Sequence, residues 1–341
     1  MANTQYLCFT AEEPNSTVSL MAKDSAPVVD LMTSRDGDTW SPYTVGNTIT
    51  LSNVGDFVQF KAGPGGNQAM GTSSDGYNYF SMTGKVAASG NLVSLLDETC
   101  TMNEIVAPGA FRRIFFECMS LVKAPEIPFT KLSDYCFKEA FQKVSITETP
   151  MVQATVYGVR ACDNMFSWNT KLTKLNFTDK PISISDNSFK GFFYNVASLV
   201  DVPEAIRVST PSTSSFDALY QFCSSIKIPT SFYVNELPSS LFYNTYTGCS
   251  SLSQPIKIYM IDNTSVPTLS SRYYFEYIGY DYVIYVPKNL YNSWIKATNW
   301  SSIASHIYPY EEPSLRISNM TIDGRKVKEL YINGRKVAIK L

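Results

Sequence analysis

The chain has 341 residues and a net charge of −2, with 17% charged side chains. So weak a balance gives no electrostatic footing for nucleic acid or an anionic membrane. Its 22 Tyr, 20 Phe and 4 Trp suit a β-rich body whose core takes most of them, and exposed Tyr would suit a binding surface.

Residues 1–17 hold no basic segment followed by an apolar one, so no secretory leader is expected. No run reaches the ~18 apolar residues that span a bilayer, which predicts a soluble product without membrane insertion. Residues 1–90 read as a small all-β sandwich. Short apolar segments at Tyr6–Thr10, Thr17–Ala22, Val28–Ser34, Thr48–Asn53, Asp56–Ala62 and Tyr77–Gly84 are separated by turn signals such as Glu13-Pro14-Asn15 and Asn53-Val54-Gly55. Within Asp56–Ala62, Phe57 and Gln59 alternate with Val58 and Phe60, the pattern of a strand. Ser34 to Trp40 is similar to the Asp-box turn of sialidase-like propellers, but it occurs once; the chemistry predicts a tight turn in which Asp36 supports Gly37 above Trp40. The junction at 84–110 follows, with Leu92 to Leu96 expected to cap what comes next.

From Phe111 the sequence repeats. Phrases begin at Phe111, Phe137, Cys162, Phe189, Phe216, Phe242 and Tyr273, at steps of 26, 25, 27, 27, 26 and 31 residues. A fixed period of this size marks a solenoid, whose units must stack to bury their apolar faces. Each phrase sets apolar residues at i, i+4, i+7 and i+10, as at Phe111, Phe115, Cys118 and Leu121, and this spacing predicts a short helix. A Pro-bearing extended segment comes after, as in Ala124-Pro125-Glu126-Ile127-Pro128 and Lys227-Ile228-Pro229, with Pro at strand ends and corners. Cys118, Cys223 and Cys249 share one slot; with seven Cys and no CxxC pair, buried reduced thiols are expected rather than disulfides or a metal site.

The phrase Phe-x3-Phe-x2-Cys-x2-Leu, as at Phe111 to Leu121 and Phe242 to Leu252, resembles the BspA-type leucine-rich repeats of Bacteroidetes surface proteins. It also resembles repeats in structural proteins of phages that infect those bacteria, the crAss-like phages included. The resemblance covers roughly residues 90–308; Ile284 to Pro287, followed by Tyr291, Trp294, Ala297 and Trp300, is similar to the strand-then-helix cap of such arrays. Val144 and Asn169 depart from the pattern by replacing the Cys. The fold expected is therefore an α/β-repeat solenoid, leucine-rich-repeat-like with about seven repeats, over 91–312. The sandwich (1–90) precedes it and a β-hairpin tail (313–341) follows.

In that tail Ile322-Asp323-Gly324-Arg325-Lys326-Val327 recurs as Ile332-Asn333-Gly334-Arg335-Lys336-Val337, two strong hairpin signals. Arg316, Arg325, Lys326, Lys328, Arg335, Lys336 and Lys340 make it basic, but they flank turns, so a docking strand pair is expected and not a nucleic-acid arm.

Chemistry finds no foothold. The single His306 lies in the capping segment, GxSxG and HExxH do not occur, and Ala62-Gly63-Pro64-Gly65-Gly66 lacks the Lys-Ser/Thr of a phosphate loop. The sequence designates no catalytic, cofactor-binding or metal-ligating residue and no individual ligand-binding residue; a calcium site among the scattered acids stays open. No enzyme and no cofactor are expected. The resemblance implies a virion fibre or decoration protein, assembled in the host cytoplasm, that presents the array to a host-surface protein or glycan. It would contact other virion proteins and act as a homo-oligomer, a trimer by likeness to phage fibres. A bacterial cell-surface adhesin is the alternative, and an accessory protein of carbohydrate-active enzymes a weaker one.

Overall fold

The chain's computed structural model describes residues 5–262, 264–269, 275 and 277–311, together with the backbone of 316–321, 326–332 and 335–337. All six expected N-terminal segments form strands: β1 (Leu7–Ala11), β2 (Ser16–Lys23), β3 (Leu31–Ser34), β5 (Thr48–Leu51), β6 (Phe57–Ala62) and β7 (Tyr77–Thr83), with β4 (Ser41–Tyr43) and β8 (Val86–Ser89) in addition. They make a three-stranded sheet ordered β5-β2-β7 and a larger one ordered β4-β3-β6-β1-β8. Phe9 of β1 meets Phe80 of β7 at 4.6 Å and Phe60 of β6 at 5.8 Å, so aromatic edges join the two sheets. Gln59, which alternates with the buried Val58 and Phe60, is itself fully buried. The 310 turn Leu92–Leu95 packs beside β1 and β6, where Ser94 accepts the Leu7 N–H and donates to the Phe60 carbonyl.

The larger sheet does not stop at residue 90. β8 pairs in parallel with β9 (Leu121–Lys123), a strand of the first coil, and Phe80 stacks on Phe115 at 5.5 Å. Thus the whole edge of β8, not only Leu92 to Leu96, covers the first coil's open end.

Beyond it stands a parallel sheet of eight strands in chain order: β10 (Lys131–Leu132), β11 (Val156–Tyr157), β12 (Ile182–Ile184), β13 (Ala205–Thr210), β14 (Ser231–Val234), β15 (Ile256–Met260), β16 (Tyr282–Pro287) and β17 (Ile307–Tyr310). Eight strands enclose seven turns of a β-solenoid, roughly 34 Å from end to end at the spacing of neighbouring strands.

The expected helices do not form. The six phrases from Phe111 to Phe242 fold as ribbons of overlapping β-turns instead. In the first, Ile114, Phe116 and Cys118 donate N–H groups three residues back, to Phe111, Arg113 and Phe115. The alternate amides of Phe111, Arg113, Phe115 and Glu117 leave the coil and bond the carbonyls of Cys136, Lys138, Ala140 and Gln142 in the next. Every fourth residue is left-handed, as at Arg113 (φ 56°) and Glu117 (φ 58°), then Glu139 (φ 57°) and Lys143 (φ 55°). A helix would have used those amides internally; here they tie coil to coil. The ribbon buries residues in pairs every four positions, such as Cys136/Phe137 and Ala140/Phe141. That period imitates the apolar stripe of a helix over two turns, which is why the spacing alone pointed to helix.

Inside, the aromatics form a continuous column. Phe115, Phe141, Phe166, Phe193, Tyr220 and Tyr246 follow one another at 5.2–5.8 Å through six successive coils. Tyr220 and Tyr246 satisfy their hydroxyls on Thr230. Among the described residues helix gathers at the far end, where a 310 turn (Lys288–Leu290), a short α-helix (Tyr291–Trp294) and a second 310 segment (Trp300–His306) fold over the last coil. Trp294 and Trp300 are buried edge to face at 4.5 Å, and Trp300 donates to the Pro267 carbonyl. The backbone of β18 (Arg316–Thr321), β19 (Lys326–Ile332) and β20 (Arg335–Val337) makes an antiparallel sheet in that order, as two hairpins would. The turns at Asp323-Gly324 and Asn333-Gly334, and most of the phrase opening at Tyr273, lie outside the described residues.

Candidate functional site

The slot shared by Cys118, Cys223 and Cys249 does more than fill space. Cys223 Sγ lies 3.1 Å from the Phe193 carbonyl and Cys249 Sγ 3.0 Å from that of Tyr220, each in the preceding coil. Asn169 seemed to break the pattern, yet it bonds in the same way. Its amide donates to the Phe141 carbonyl of the preceding coil and to that of Phe166, and its oxygen accepts the Val144 N–H at 2.6 Å. In three coils, at Asn169, Cys223 and Cys249, the slot is a hydrogen-bond donor to the preceding coil. Burial pushes the Cys118 and Cys249 thiols up to about 12, so both stay protonated and unreactive at neutral pH. All seven cysteines are free.

Other residues singled out in the sequence have structural roles. Asp36 accepts N–H bonds from Asp38 and Thr39 and the Ser34 hydroxyl, with Gly37 at φ 91°. The Thr39 and Asp38 amides hold its carboxyl well below the usual range. Trp40 packs edge-on against Tyr6 at 5.0 Å under the Lys61 ammonium. His306 stacks on Tyr282 at 4.5 Å with Nδ1 3.1 Å from the Tyr282 carbonyl, which fixes the cap to β16. The Pro-bearing corners line two grooves: one of about 320 Å³ at Pro125, Pro128 and Pro150, and one of about 520 Å³ at Pro203, Pro229 and Pro255. Among the described residues no group of three or more His, Cys, Asp or Glu could hold a metal ion, and no helix is long and apolar enough to cross a membrane.

Two aromatic rows face outward on the solenoid. The first runs across the sheet, where strand register brings Arg207, Tyr233, Tyr259, Tyr285 and Tyr308 into line. Tyr233 and Tyr259 stack at 4.5 Å and 5°, Tyr259 and Tyr285 at 4.7 Å and 15°. The Arg207 guanidinium lies 4.2 Å from the Tyr233 ring centre and closes that end. Since these rings cover one another's faces, solvent meets their edges and hydroxyls. Burial, then the neighbouring phenols, push the Tyr259 hydroxyl above its ordinary value.

The second row lies on the ribbon, where Trp168, Tyr194 and Phe222 come from three successive coils. Trp168 and Tyr194 are 5.6 Å apart and tilted by 57°, Tyr194 and Phe222 5.7 Å apart and nearly perpendicular at 78°. Their faces are not stacked away. Trp168 remains 44% exposed and Phe222 41%. Both stand at the ribbon's left-handed position, each with φ 63°, where a bulky side chain is uncommon and costs about 1–3 kcal/mol. The same slot holds Glu117, Lys143, Asn195 and Gly248 in other coils. At Gly248 the lack of a side chain is required: a Cβ there would run into the Phe222 ring. The ionised groups of this ribbon are largely engaged with one another, Lys190 with Asp217 at 2.7 Å and Lys138 and Arg160 with the buried Asp163 at 3.7 and 3.8 Å.

Neither row was designated from the sequence. The signal was present: Tyr233, Tyr259 and Tyr285 recur every 26 residues, and Trp168 and Phe222 immediately precede the donor slot at Asn169 and Cys223. Compared with known proteins, the chain matches no family model and no curated protein.

Proposed function

We propose that this chain is a non-enzymatic binding protein that recognises a surface glycan through the ribbon row Trp168–Tyr194–Phe222. The observation that carries the reading is the exposure of two large aromatics in a strained left-handed backbone where Asn or Gly fits freely. Contiguous exposed aromatic surface marks interaction sites. The apolar C–H face of a sugar sits against the electron-rich face of such a ring. In this reading the coils are divergent leucine-rich repeats in which a turn ribbon stands where a helix would be. The N-terminal sheets (1–90) are a sandwich that caps the array (91–312), and the hairpin tail (313–341) is the docking element. The repeat resemblance further supports placement on a virion, as a fibre or decoration protein that self-associates, with the array turned to the host surface.

The test is binding of the full chain to immobilised cell-surface polysaccharides, with Trp168→Ala/Phe222→Ala beside it. Retention of the wild-type chain and loss of at least about tenfold in affinity for the double variant are expected, as for exposed aromatic anchors. Equal retention of both chains, or retention of neither, ends the proposal.

A further inference from the structure

We infer that the ligand of the ribbon row is a neutral, linear polysaccharide laid along the solenoid axis, with one sugar to a coil. This rests on the glycan reading above and adds the ligand's charge, shape and direction.

Direction follows from the way the row is built. Its rings come from three consecutive coils, so it runs along the stack and not around a coil. The step between ring centres, 5.6 then 5.7 Å, is close to the advance of one pyranose unit in an extended chain. A linear polymer of sugars can therefore keep register with successive coils, whereas a branched or compact glycan meets one ring at a time. Charge follows from the neighbours. The Asn195 amide adjoins Tyr194 and the Gln221 amide adjoins Phe222, both part-exposed. These side chains offer a donor and an acceptor each, the pairing that sugar hydroxyls need. The ribbon cations Lys138, Arg160 and Lys190 are already occupied by Asp163 and Asp217. An acidic polymer would find them engaged. Gly248, next in the row, leaves room for the Phe222 ring to approach the following coil.

Titration calorimetry of the full chain with linear β-1,4-linked gluco- and manno-oligosaccharides of rising length tests this. Affinity should climb with each added sugar and level off once about four coils are spanned, because each new contact is made within one bound molecule. Phe222→Asn and Trp168→Asn keep a residue that tolerates the left-handed backbone. Each should leave the melting temperature unchanged or raised, and each should lower affinity by about tenfold or more. Four outcomes overturn the inference: affinity independent of length; binding confined to acidic or branched glycans; binding that survives both substitutions; or a fold that fails with Phe222→Asn, which would make the ring structural. Binding of acidic or branched glycans that is lost with Phe222→Asn would leave the broader glycan reading standing. No glycan binding at all ends both.

Discussion

The two outward rows are made of the same kind of side chain, and they differ in what the rings face. On the sheet the strand spacing of about 4.8 Å matches the 4.5 and 4.7 Å between ring centres, so Tyr233, Tyr259 and Tyr285 are laid flat on one another and turn their faces inward to the row. On the ribbon every fourth residue is left-handed, Trp168 and Phe222 among them, and Trp168, Tyr194 and Phe222 meet at steep angles instead of stacking. The first arrangement stiffens a sheet; the second can receive something. Aromatic content alone, therefore, does not locate a binding surface. The backbone that carries the rings does.

The hardest way to break this contrast is to remove what fixes the ribbon. Asn169→Ala strips three buried hydrogen bonds at the residue after Trp168 and strands the Val144 N–H and the Phe141 carbonyl. A loss of about 3 kcal/mol is expected in chemical denaturation, at about 1–3 kcal/mol for each buried group left unsatisfied, with partial relaxation. A smaller effect is expected on the sheet. Tyr259→Ala removes two stacked ring pairs and an edge-on contact with Tyr310, worth about 0.5–1.5 kcal/mol each, so the chain should lose about 2 kcal/mol in the same measurement while glycan binding persists. If Tyr259→Ala abolished binding with little loss of stability, the roles given to the two rows would be reversed.

The mildest probe is alkaline titration. Tyr259 ionises above its ordinary value, and burial pushes the core Tyr157, Tyr220 and Tyr246 higher still. A phenol whose folded pKa exceeds the unfolded one, ~10, contributes stability in full below that value and loses it as pH climbs toward the folded pKa. Stability should hold up to about pH 10 and then fall, with the buried phenols appearing by absorbance only as the chain unfolds. Tyr259→Phe should make the fall slightly shallower. Ionisation of every phenol near pH 10 with the fold intact would contradict the burial described for the column.

How much of this was legible beforehand depends on the scale. Period is written in residue identity, so the coils, the Phe column and the parallel stacking could be read from Phe111 onward. The expected N-terminal segments became strands because their turns are chemically explicit. Local conformation within the phrase was not legible. An apolar spacing of four, as at Phe111 and Phe115 or Phe137 and Phe141, serves a helix and a four-residue turn ribbon alike, and no Gly marks most of the left-handed positions: Arg113, Glu139 and Trp168 occupy them. Nor was the equivalence of Asn169 and Cys223 visible, since a thiol and an amide look unrelated until both are seen bonding the same kind of carbonyl. The ribbon row escaped notice for a related reason. Its residues are ordinary aromatics in the sequence, and Trp168 and Phe222 become unusual only through the backbone angle at which they are held.

The ladder of amides that leaves one ribbon for the next has a consequence for how such a protein can change. Inheritance of the fold is carried by main-chain atoms and by inward pairs, while the last left-handed position of each phrase, as at Glu117, Lys143, Trp168, Asn195, Phe222 and Gly248, is at least partly exposed. Those positions form a column of separately editable letters, read from coil to coil at a constant interval. Duplication of one coil of about 26 residues would add a letter without disturbing the others, so the reach of the reading head is set by copy number and its taste by single substitutions.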